Sequence, residues 1–168
     1  MFSEKELNAL SFAIKAHHGQ FRKYSDYPYV VHPVEVREIL KTVECTEEMR
    51  IAALLHDVIE DTPHTYKDVE SEFGTEVADL VQGLTEASLG HPGNRAERKA
   101  IDRAYLAEQS PEVQTIKLAD IISNTKDIVA KDENFANVYL AEIKELLIVM
   151  DKGNSALYKI ALSNVTTE

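Results

Sequence analysis

The sequence contains a single cysteine, Cys45, which excludes an internal disulfide and favours a reducing compartment. It has no apolar run of the roughly 18 residues that a membrane span needs. Its first residues, "MFSEKELNAL", lack the basic and then apolar segments of a signal peptide. The hydrophobic and charged fractions, 44% and 28%, are those of an ordinary globular chain. We therefore expect a soluble, cytoplasmic protein that makes no membrane contact.

Basic residues are scarce, since 18 lysines and arginines stand against 29 aspartates and glutamates, for a net charge of −11. A protein that binds duplex nucleic acid needs a basic face, so nucleic acid is not an expected partner. Two local groups of cations remain, and they could bind a small anionic ligand. They are Arg22 with Lys23, and Arg95, Arg98, Lys99 and Arg103. A solvated helix face is the commoner explanation of such a group when it is taken alone.

Helical periodicity runs through nearly the whole sequence. The first segment, "SEKELNALSFAIKAHHG", carries Ser3 and Glu6 in capping-box spacing. Thr46 precedes "EEMRIAALLHDVIED", and Ser110 precedes a proline and a long periodic segment. Both are typical residues at the N-terminus of a helix, and we predict that both are N-caps.

The apolar residues indicate which fold the helices build. In the first helix we expect the stripe of Leu7, Leu10 and Ile14 to be buried. A strand-like pattern occurs only in the short stretch "YPYVVHP". There is neither an internal repeat nor a linker. The sequence therefore predicts an all-α fold, with one domain over the whole 168-residue chain and about eight to nine helices in one bundle.

The stretch "AALLHDVIEDT", residues 52–62, places four polar groups directly after a run that should be buried. On one helix, Glu60 would follow His56 by four residues. Asp61 would likewise follow Asp57, so that all four side chains crowd one flank. Buried carboxylates and imidazoles are costly unless they are paired or bind a metal. An exposed acidic helix end is the alternative, but it does not explain why the apolar run leads straight into the cluster, and we predict a bound cation.

A metal needs more ligands than one helix offers, and two other positions could supply them. His32 stands at the start of a predicted helix in "YVVHP", and Asp120 interrupts the apolar run "IKLADIISN". Two imidazoles and two carboxylates form a mixed site that suits Mn²⁺, Fe²⁺ or Zn²⁺, and these residue types do not choose among the three. No second histidine cluster occurs at suitable positions, so we predict one ion.

The order of these residues, H…HD…D, resembles that of the HD-domain phosphohydrolases. More narrowly, the chain resembles the hydrolase domain of the RelA/SpoT proteins and the small stand-alone alarmone hydrolases, such as the metazoan SpoT homologues. "HD" alone is a weak signal, whereas "HDVIED" is specific to this branch. The matching segments cover about residues 5–130, and we expect 131–168 to form closing helices without a synthetase domain. The segments are "AHHGQFRK", "PYVVHPVEV", "AALLHDVIEDT", "FGTEVADLVQGLTE", "RAERKA" and "SPEVQTIKLADIISN".

The resemblance implies a Mn²⁺-dependent enzyme that hydrolyses the 3′-pyrophosphate of guanosine alarmones such as ppGpp, leaving GDP or GTP and pyrophosphate. The implied metal ligands are His32, His56, Asp57 and Asp120. Glu60 and Asp61 would lie beside the attacking water, with Glu60 as the base and Asp61 assisting it or protonating the leaving oxygen, although the two roles could be exchanged. The implied substrate contacts are Arg22, Lys23, Arg98, Lys99 and Asn124.

The segments expected to face the nucleotide depart from the family pattern. "YSDYPY" has Ser25 and Asp26 in a loop where the family usually has a glycine, and "IISN" follows the last ligand where the family often has a basic or bulky residue. Two alternatives therefore stay open: a phosphatase for another nucleotide or for the 2′-phosphate of NADPH, and a non-catalytic nucleotide sensor. Tyr24 is a candidate for stacking on the base. The oligomeric state is open; Leu147 and Val149 could form a homodimer face, although we expect them in the core.

Overall fold

A computed structural model of the protein describes residues 1–23, 25–131 and 133–166. Over these residues the regular structure is helical apart from one isolated β-bridge, which confirms the all-α fold class. The described helices are α1 (Glu4–Ala16), α2 (Val31–Leu40), α3 (Glu47–Leu55), α4 (Val58–Asp61), α5 (Tyr66–Phe73), α6 (Thr75–Leu84), α7 (Arg95–Ala107), α8 (Pro111–Lys131), α9 (Glu133–Ile148) and α10 (Ser155–Thr166). All have at least eight residues except α4, which is one turn of four residues. Without α4, nine helices are described, which agrees with the predicted eight to nine.

The chain divides into two compact units, Met1–Thr85 and Glu86–Glu168. Whether they form one domain, as the sequence predicts, stays a prediction. In the first unit α3 is the central helix, because it packs against α1, α2 and α6. Its residues 51–55 are all buried, so the second half of this helix is apolar on every side. The polar residues that follow it therefore stand at the edge of a fully apolar segment.

Helix α1 has the predicted capping box, but it buries a different face from the one predicted. Leu7 and Ile14 are 52% and 51% exposed, so the expectation that their stripe is buried was wrong. The buried residues of α1 are Glu6, Ala9 and Ala13. Small alanine side chains let α1 pack closely on α3, and this contact replaces the burial of larger residues.

Glu6 is the centre of a buried ion-pair network that joins α1, α2 and α3. Its Oε1 accepts hydrogen bonds from Arg37 Nε at 3.1 Å, Arg37 Nη2 at 3.0 Å and Arg50 Nε at 2.8 Å. Its Oε2 accepts the Ser3 backbone N–H at 2.7 Å. The Arg37 guanidinium also lies over the Phe2 ring, 3.9 Å from its centroid. A buried carboxylate is tolerated here because two guanidinium groups satisfy one of its oxygens and a backbone N–H satisfies the other.

The strand-like stretch before α2 does not form a strand. Phe21 and Pro28 form an isolated antiparallel bridge, and Arg22 N donates to Tyr27 O at 2.8 Å. Proline has no N–H with which to continue a ladder, which limits the pairing to a short loop. Helix α2 already begins at Val31, so the predicted strand residues are divided between this loop and the first turn of a helix.

In the second unit α8 packs against α9 and α10. Its buried Gln114 donates to Leu106 O at 3.0 Å and Val149 O at 3.4 Å and accepts Lys152 N at 2.9 Å, so one amide joins three segments. Leu147 of α9 is 1% exposed, as expected for a core residue. Helix α8 has 21 residues, but none of the described helices combines the length and apolar character that a membrane crossing needs.

Candidate metal centre

His56 and Asp57 lie in a two-residue break between α3 and α4, and not inside one helix as the sequence predicted. Asp57 has φ −99° and ψ 0°, in the sparsely populated bridge region where active-site residues often occur. Aspartate favours helix ends because its side chain competes with the helical backbone for hydrogen bonds. A continuous helix would point adjacent side chains about 100° apart. The break instead lets the His56 and Asp57 side chains meet.

His32, His56 and Asp57 form a compact cluster in the first unit. Asp57 Oδ2 lies 2.9 Å from His56 Nε2 and 3.9 Å from His32 Nε2. The two imidazole rings are 5.0 Å apart between centroids and meet at 72°. One ligand atom from each residue lies within 4.8 Å of the other two. The sequence-predicted ligands of this unit are thus brought together, with both histidines buried and Asp57 half-buried.

The hydrogen bonding of His56 defines which of its nitrogens can bind a cation. His56 Nδ1 lies 2.8 Å from Ala53 O, and a carbonyl only accepts, so we infer that Nδ1 carries the proton. Nε2 of a neutral imidazole then presents a lone pair to the Asp57 carboxylate 2.9 Å away. Two lone pairs at this distance repel each other unless a second proton or a metal ion lies between them.

The cluster fits a divalent transition metal better than it fits a simple ion pair. A proton would serve His56 and Asp57 only, whereas a metal ion also uses the lone pair of His32, whose ring is 1% exposed. Metal-binding histidines usually donate their other N–H to a carbonyl or carboxylate, as His56 does to Ala53. Mixed nitrogen and oxygen ligands suit Mn²⁺, Fe²⁺ or Zn²⁺.

Glu60 and Asp61, the predicted catalytic carboxylates, form the end of α4. Glu60 is half-buried and Asp61 is exposed. Gln20 Nε2 donates to Asp61 O at 3.0 Å and so ties α4 to the segment that follows α1. Gln20 Oε1 in turn accepts from His17 Nδ1 at 2.9 Å. His17 is therefore linked to α4 through Gln20, and the sequence analysis missed Gln20.

Tyr29 is a second residue that the sequence reasoning missed. Its hydroxyl donates to Asp57 Oδ2, the same oxygen that lies beside His56 and His32. The only signal in the sequence was its position three residues before His32, in the segment that matches the family. Tyrosine between two apolar-looking residues is more often a core residue, so the spacing alone was too weak.

Asp120 lies in the second unit, on α8, and is 4% exposed. Its partners come from one turn on each side: Lys117 Nζ lies 2.7 Å from Oδ2, and Asn124 Nδ2 donates to Oδ1 at 2.8 Å. The apolar run thus does supply Asp120 with a partner, as its burial required. Lys117 was missed, although its spacing of three residues could have indicated it. The assignment of Asp120 as a metal ligand stays a prediction.

The predicted substrate-binding pair has one buried and one exposed member. Arg22 is 9% exposed, on the loop that Phe21 and Pro28 close, and Lys23 is exposed. A buried guanidinium is held in one orientation, which suits recognition of a planar or doubly charged anion. The stacking candidate Tyr24 lies outside the described residues.

The cations of α7 are mostly ion-paired within the second unit. Their partners are Glu142 for Arg95, Glu86 for Lys99 and Glu145 for Arg103, at 2.6, 2.6 and 2.7 Å. The hydrogen bond from Arg95 lowers the pKa of the Glu142 carboxyl. Arg98 is exposed, and none of the described residues pairs with it. The solvated-face explanation therefore fits Arg95 and Arg103, while Arg98 remains available to a ligand.

Comparison with known proteins identifies the family of the chain. The model of the HD domain family matches residues 9–145. The chain belongs to the HD domain family. A guanosine-3′,5′-bis(diphosphate) 3′-pyrophosphohydrolase of Drosophila melanogaster is 38% identical over 130 residues, which are 75% of this chain and 70% of that protein. The HD domain chain is thus similar to SpoT-type hydrolases, as the resemblance implied.

Relatives from bacteria are much longer. Guanosine-3′,5′-bis(diphosphate) 3′-pyrophosphohydrolases from Spiroplasma citri and Aquifex aeolicus are 38% and 36% identical over 123 and 129 residues. These regions are 71% and 75% of this chain but only 16% and 18% of the relatives, so the chain spans about a sixth of their length.

The fold of this HD domain chain matches solved structures. A metazoan ortholog of SpoT, described as hydrolysing ppGpp, has a TM-score of 0.87 at 30% identity, with 98% of this chain and 95% of that chain covered. A protein from Listeria monocytogenes has a TM-score of 0.68 at 26% identity, covering 84% of this chain and 97% of that one.

Proposed function

We propose that the protein is a metal-dependent hydrolase that removes the 3′-pyrophosphate of guanosine alarmones, converting ppGpp or pppGpp to GDP or GTP and pyrophosphate. The observation that carries the proposal is the meeting of His32, His56 and Asp57 around a point where two lone pairs require a cation. The similarity to the Drosophila 3′-pyrophosphohydrolase and to the ppGpp-hydrolysing SpoT ortholog supports this substrate. We place this activity in the cytoplasm, where nucleotide alarmones and a chain with one cysteine would both occur.

The metal of the proposed site is Mn²⁺, one ion per chain, although the ligand types would also accept Fe²⁺ or Zn²⁺. His32 and His56 would bind it through their Nε2 atoms and Asp57 through a carboxylate oxygen. We include Asp120 as the fourth ligand because the family resemblance implies it and because its carboxylate is buried and held from both sides. A divalent ion in such a site polarises a phosphoryl oxygen and makes bound water more acidic.

Glu60 is the proposed general base. It takes a proton from the attacking water, whose oxygen forms a bond to the phosphorus that carries the 3′-oxygen. The bond between this phosphorus and the 3′-oxygen then breaks, and the electron pair stays on the 3′-oxygen. Asp61 supplies the proton that turns this oxygen into the 3′-hydroxyl of GDP. Gln20 keeps the two carboxylates in place through the backbone of Asp61.

Cations and one amide are proposed to hold the substrate. Arg22 and Lys23 would contact the base and phosphates. Arg98 would contact the phosphates, because no described residue forms an ion pair with this cation of α7. Lys99 would have to exchange the Glu86 carboxylate for a phosphate. Asn124 would contact the ribose while it holds Asp120. Charge-assisted hydrogen bonds of this type offset the charge of the pyrophosphate.

Product analysis tests the proposed reaction. The metal-stripped protein is incubated with ppGpp and, in a parallel tube, with NADPH, and Mn²⁺ is then added to both. We expect GDP and pyrophosphate from ppGpp, and no orthophosphate from NADPH. Orthophosphate from NADPH without reaction of ppGpp would replace the proposal with the phosphatase alternative, and tight binding of ppGpp without products would replace it with the sensor.

A further inference from the structure

Tyr29 gives the candidate metal centre a neutral hydrogen-bond donor. Its hydroxyl donates to Asp57 Oδ2, and Asp57 is also the residue that meets both histidines. None of the ligand types assigned to the site includes a tyrosine. Since the hydroxyl is a donor to Asp57, we treat it as acting on this carboxylate and not as a metal ligand.

The position of the Tyr29 ring is fixed by contacts on two sides. Its centroid lies 4.9 Å from that of His17 and 5.9 Å from that of His32, with the rings tilted. Its backbone is fixed as well, since Tyr29 N donates to Gln20 O and His32 N donates to Tyr29 O, both at 3.0 Å. Because the ring is held in this way, its hydroxyl stays in one place. It can therefore fix the orientation of the Asp57 carboxylate, which would otherwise be free to turn.

We propose that Tyr29 is a positioning residue that orients the Asp57 carboxylate for the metal and so raises metal affinity. The terminal torsion of aspartate is broad, so a carboxylate without a donor samples many orientations. Outer donors that hydrogen-bond to ligating carboxylates orient them, and their loss typically reduces metal affinity about 10- to 100-fold. This inference rests on the metal centre of the proposed function, but it does not depend on which nucleotide is the substrate.

The same layer of side chains reaches the catalytic helix α4. The Tyr29 ring packs on His17, His17 fixes Gln20, and Gln20 donates to Asp61 O. Tyr29 thus belongs to a group of residues that connects Asp57 with the end of α4. Its ring has a packing role and its hydroxyl has a positioning role, and a variant that keeps the ring can separate the two.

Tyr29→Phe is that variant, and Tyr66→Phe is its matched control. Tyr66 OH donates to Asp79 Oδ1 at 2.8 Å on the surface of the same unit, so its replacement also removes a hydrogen bond from a tyrosine to an aspartate. Mn²⁺ binding to the metal-stripped full chain is measured by calorimetry, and the Tm of each protein is measured without metal. We expect Tyr29→Phe to weaken Mn²⁺ binding about 10-fold or more, with a metal-free Tm like that of the wild type, and Tyr66→Phe to bind Mn²⁺ normally.

Unchanged Mn²⁺ affinity in Tyr29→Phe would overturn the inference, as would an equal loss in Tyr66→Phe. Failure of the wild type to bind Mn²⁺ would overturn both the inference and the proposed function. A third outcome is that the wild type binds Mn²⁺ normally, Tyr29→Phe binds it more weakly, and the wild type does not hydrolyse ppGpp. This outcome would uphold the inference and reject only the proposed substrate.

A second measurement follows the absorption of tyrosine in the same three proteins. The chain has seven tyrosines and no tryptophan, so its near-ultraviolet absorption is due mainly to tyrosine. Addition of Mn²⁺ changes the charge that the Tyr29 hydroxyl faces. We expect a difference band in the tyrosine region for the wild type and for Tyr66→Phe, and its loss in Tyr29→Phe. No band in the wild type, or the same band in Tyr29→Phe, would contradict the inference.

Discussion

His56 Nε2 lies 2.9 Å from Asp57 Oδ2, and the two residues occupy the break between α3 and α4. The break is what allows adjacent residues to act on one point, because an uninterrupted helix would turn them about 100° apart. Ala53 O contacts the other nitrogen of His56, so the lone pair of Nε2 faces the carboxylate. The proposed chemistry follows from this pair, whose facing lone pairs suit a bound cation.

Removal of either member of this pair should abolish metal binding and hydrolysis together. We expect His56→Ala and Asp57→Ala to weaken Mn²⁺ binding more than about 100-fold, beyond the effect of losing an outer hydrogen-bond partner. The exposed His18→Ala is the control and should change neither property. Calorimetry and product analysis on the same preparations check this, and a variant that loses Mn²⁺ but keeps turnover would contradict it.

Glu60→Gln should keep the metal and lose turnover. The amide cannot take a proton from water, and general-base catalysis is worth about 10²- to 10⁴-fold in rate, so kcat should fall by that factor. Mn²⁺ affinity should remain that of the wild type, because Glu60 is not among the predicted ligands. Glu44→Gln, in the exposed connection between α2 and α3, is the control. Loss of the metal in Glu60→Gln would mean that the division between ligands and base is wrong.

Two arginines of α7 should respond differently to replacement. Arg95 donates two hydrogen bonds to Glu142, at 2.6 and 2.8 Å, whereas no described residue pairs with Arg98. We expect Arg98→Ala to raise KM about 10-fold, the equivalent of one charge-assisted hydrogen bond, with Tm unchanged. Arg95→Ala should leave KM unchanged and alter stability by no more than about 1 kcal/mol, as exposed ion pairs do. Equal increases in KM would indicate a general charge effect.

The Glu6 network should make stability depend on pH in the acid range. Burial alone would raise the pKa of Glu6, but hydrogen bonds from Ser3, Arg50 and Arg37 outweigh it and lower the pKa from 4.5 to about 2. Between these values the unfolded chain binds more protons than the folded one, so stability rises with pH there. The stabilisation is complete above about pH 4.5 and is lost as the pH falls toward 2.

Thermal unfolding of Glu6→Gln checks this directly. At neutral pH the variant should lose roughly 3–5 kcal/mol, because the buried Arg37 and the half-buried Arg50 lose their carboxylate partner. Its Tm should also fall less steeply than that of the wild type as the pH is lowered from 4.5. Glu4→Gln, exposed on the same helix, should behave as the wild type does. Parallel pH profiles for Glu6→Gln and the wild type would contradict the assigned pKa.

Helix ends were predictable because their signals are local. Ser3, Thr46 and Ser110 each accept a hydrogen bond from the backbone N–H three residues later, as their sequence context indicated. The buried face of α1 was not predictable, because it depends on how closely α3 approaches. Leu7 looks like a core residue in the sequence, but two alanines occupy the contact.

The ligands were predictable and their geometry was not. Residue types and order indicated His32, His56 and Asp57, because a metal needs those atoms. The break at His56 could not be read from a periodicity that continues on both sides of it. Tyr29 could not be assigned either, because a tyrosine that donates to a ligand has the same sequence pattern as one that fills the core.

The most direct test of the account is a Mn²⁺ titration of the metal-stripped protein in which GDP release from ppGpp and bound Mn²⁺ are measured together. We predict no GDP in the absence of metal, and a rate that rises with occupancy and saturates at one ion per chain. GDP release in the presence of a chelator, or one bound Mn²⁺ per chain without any hydrolysis, would contradict the claim that His32, His56 and Asp57 hold a catalytic metal.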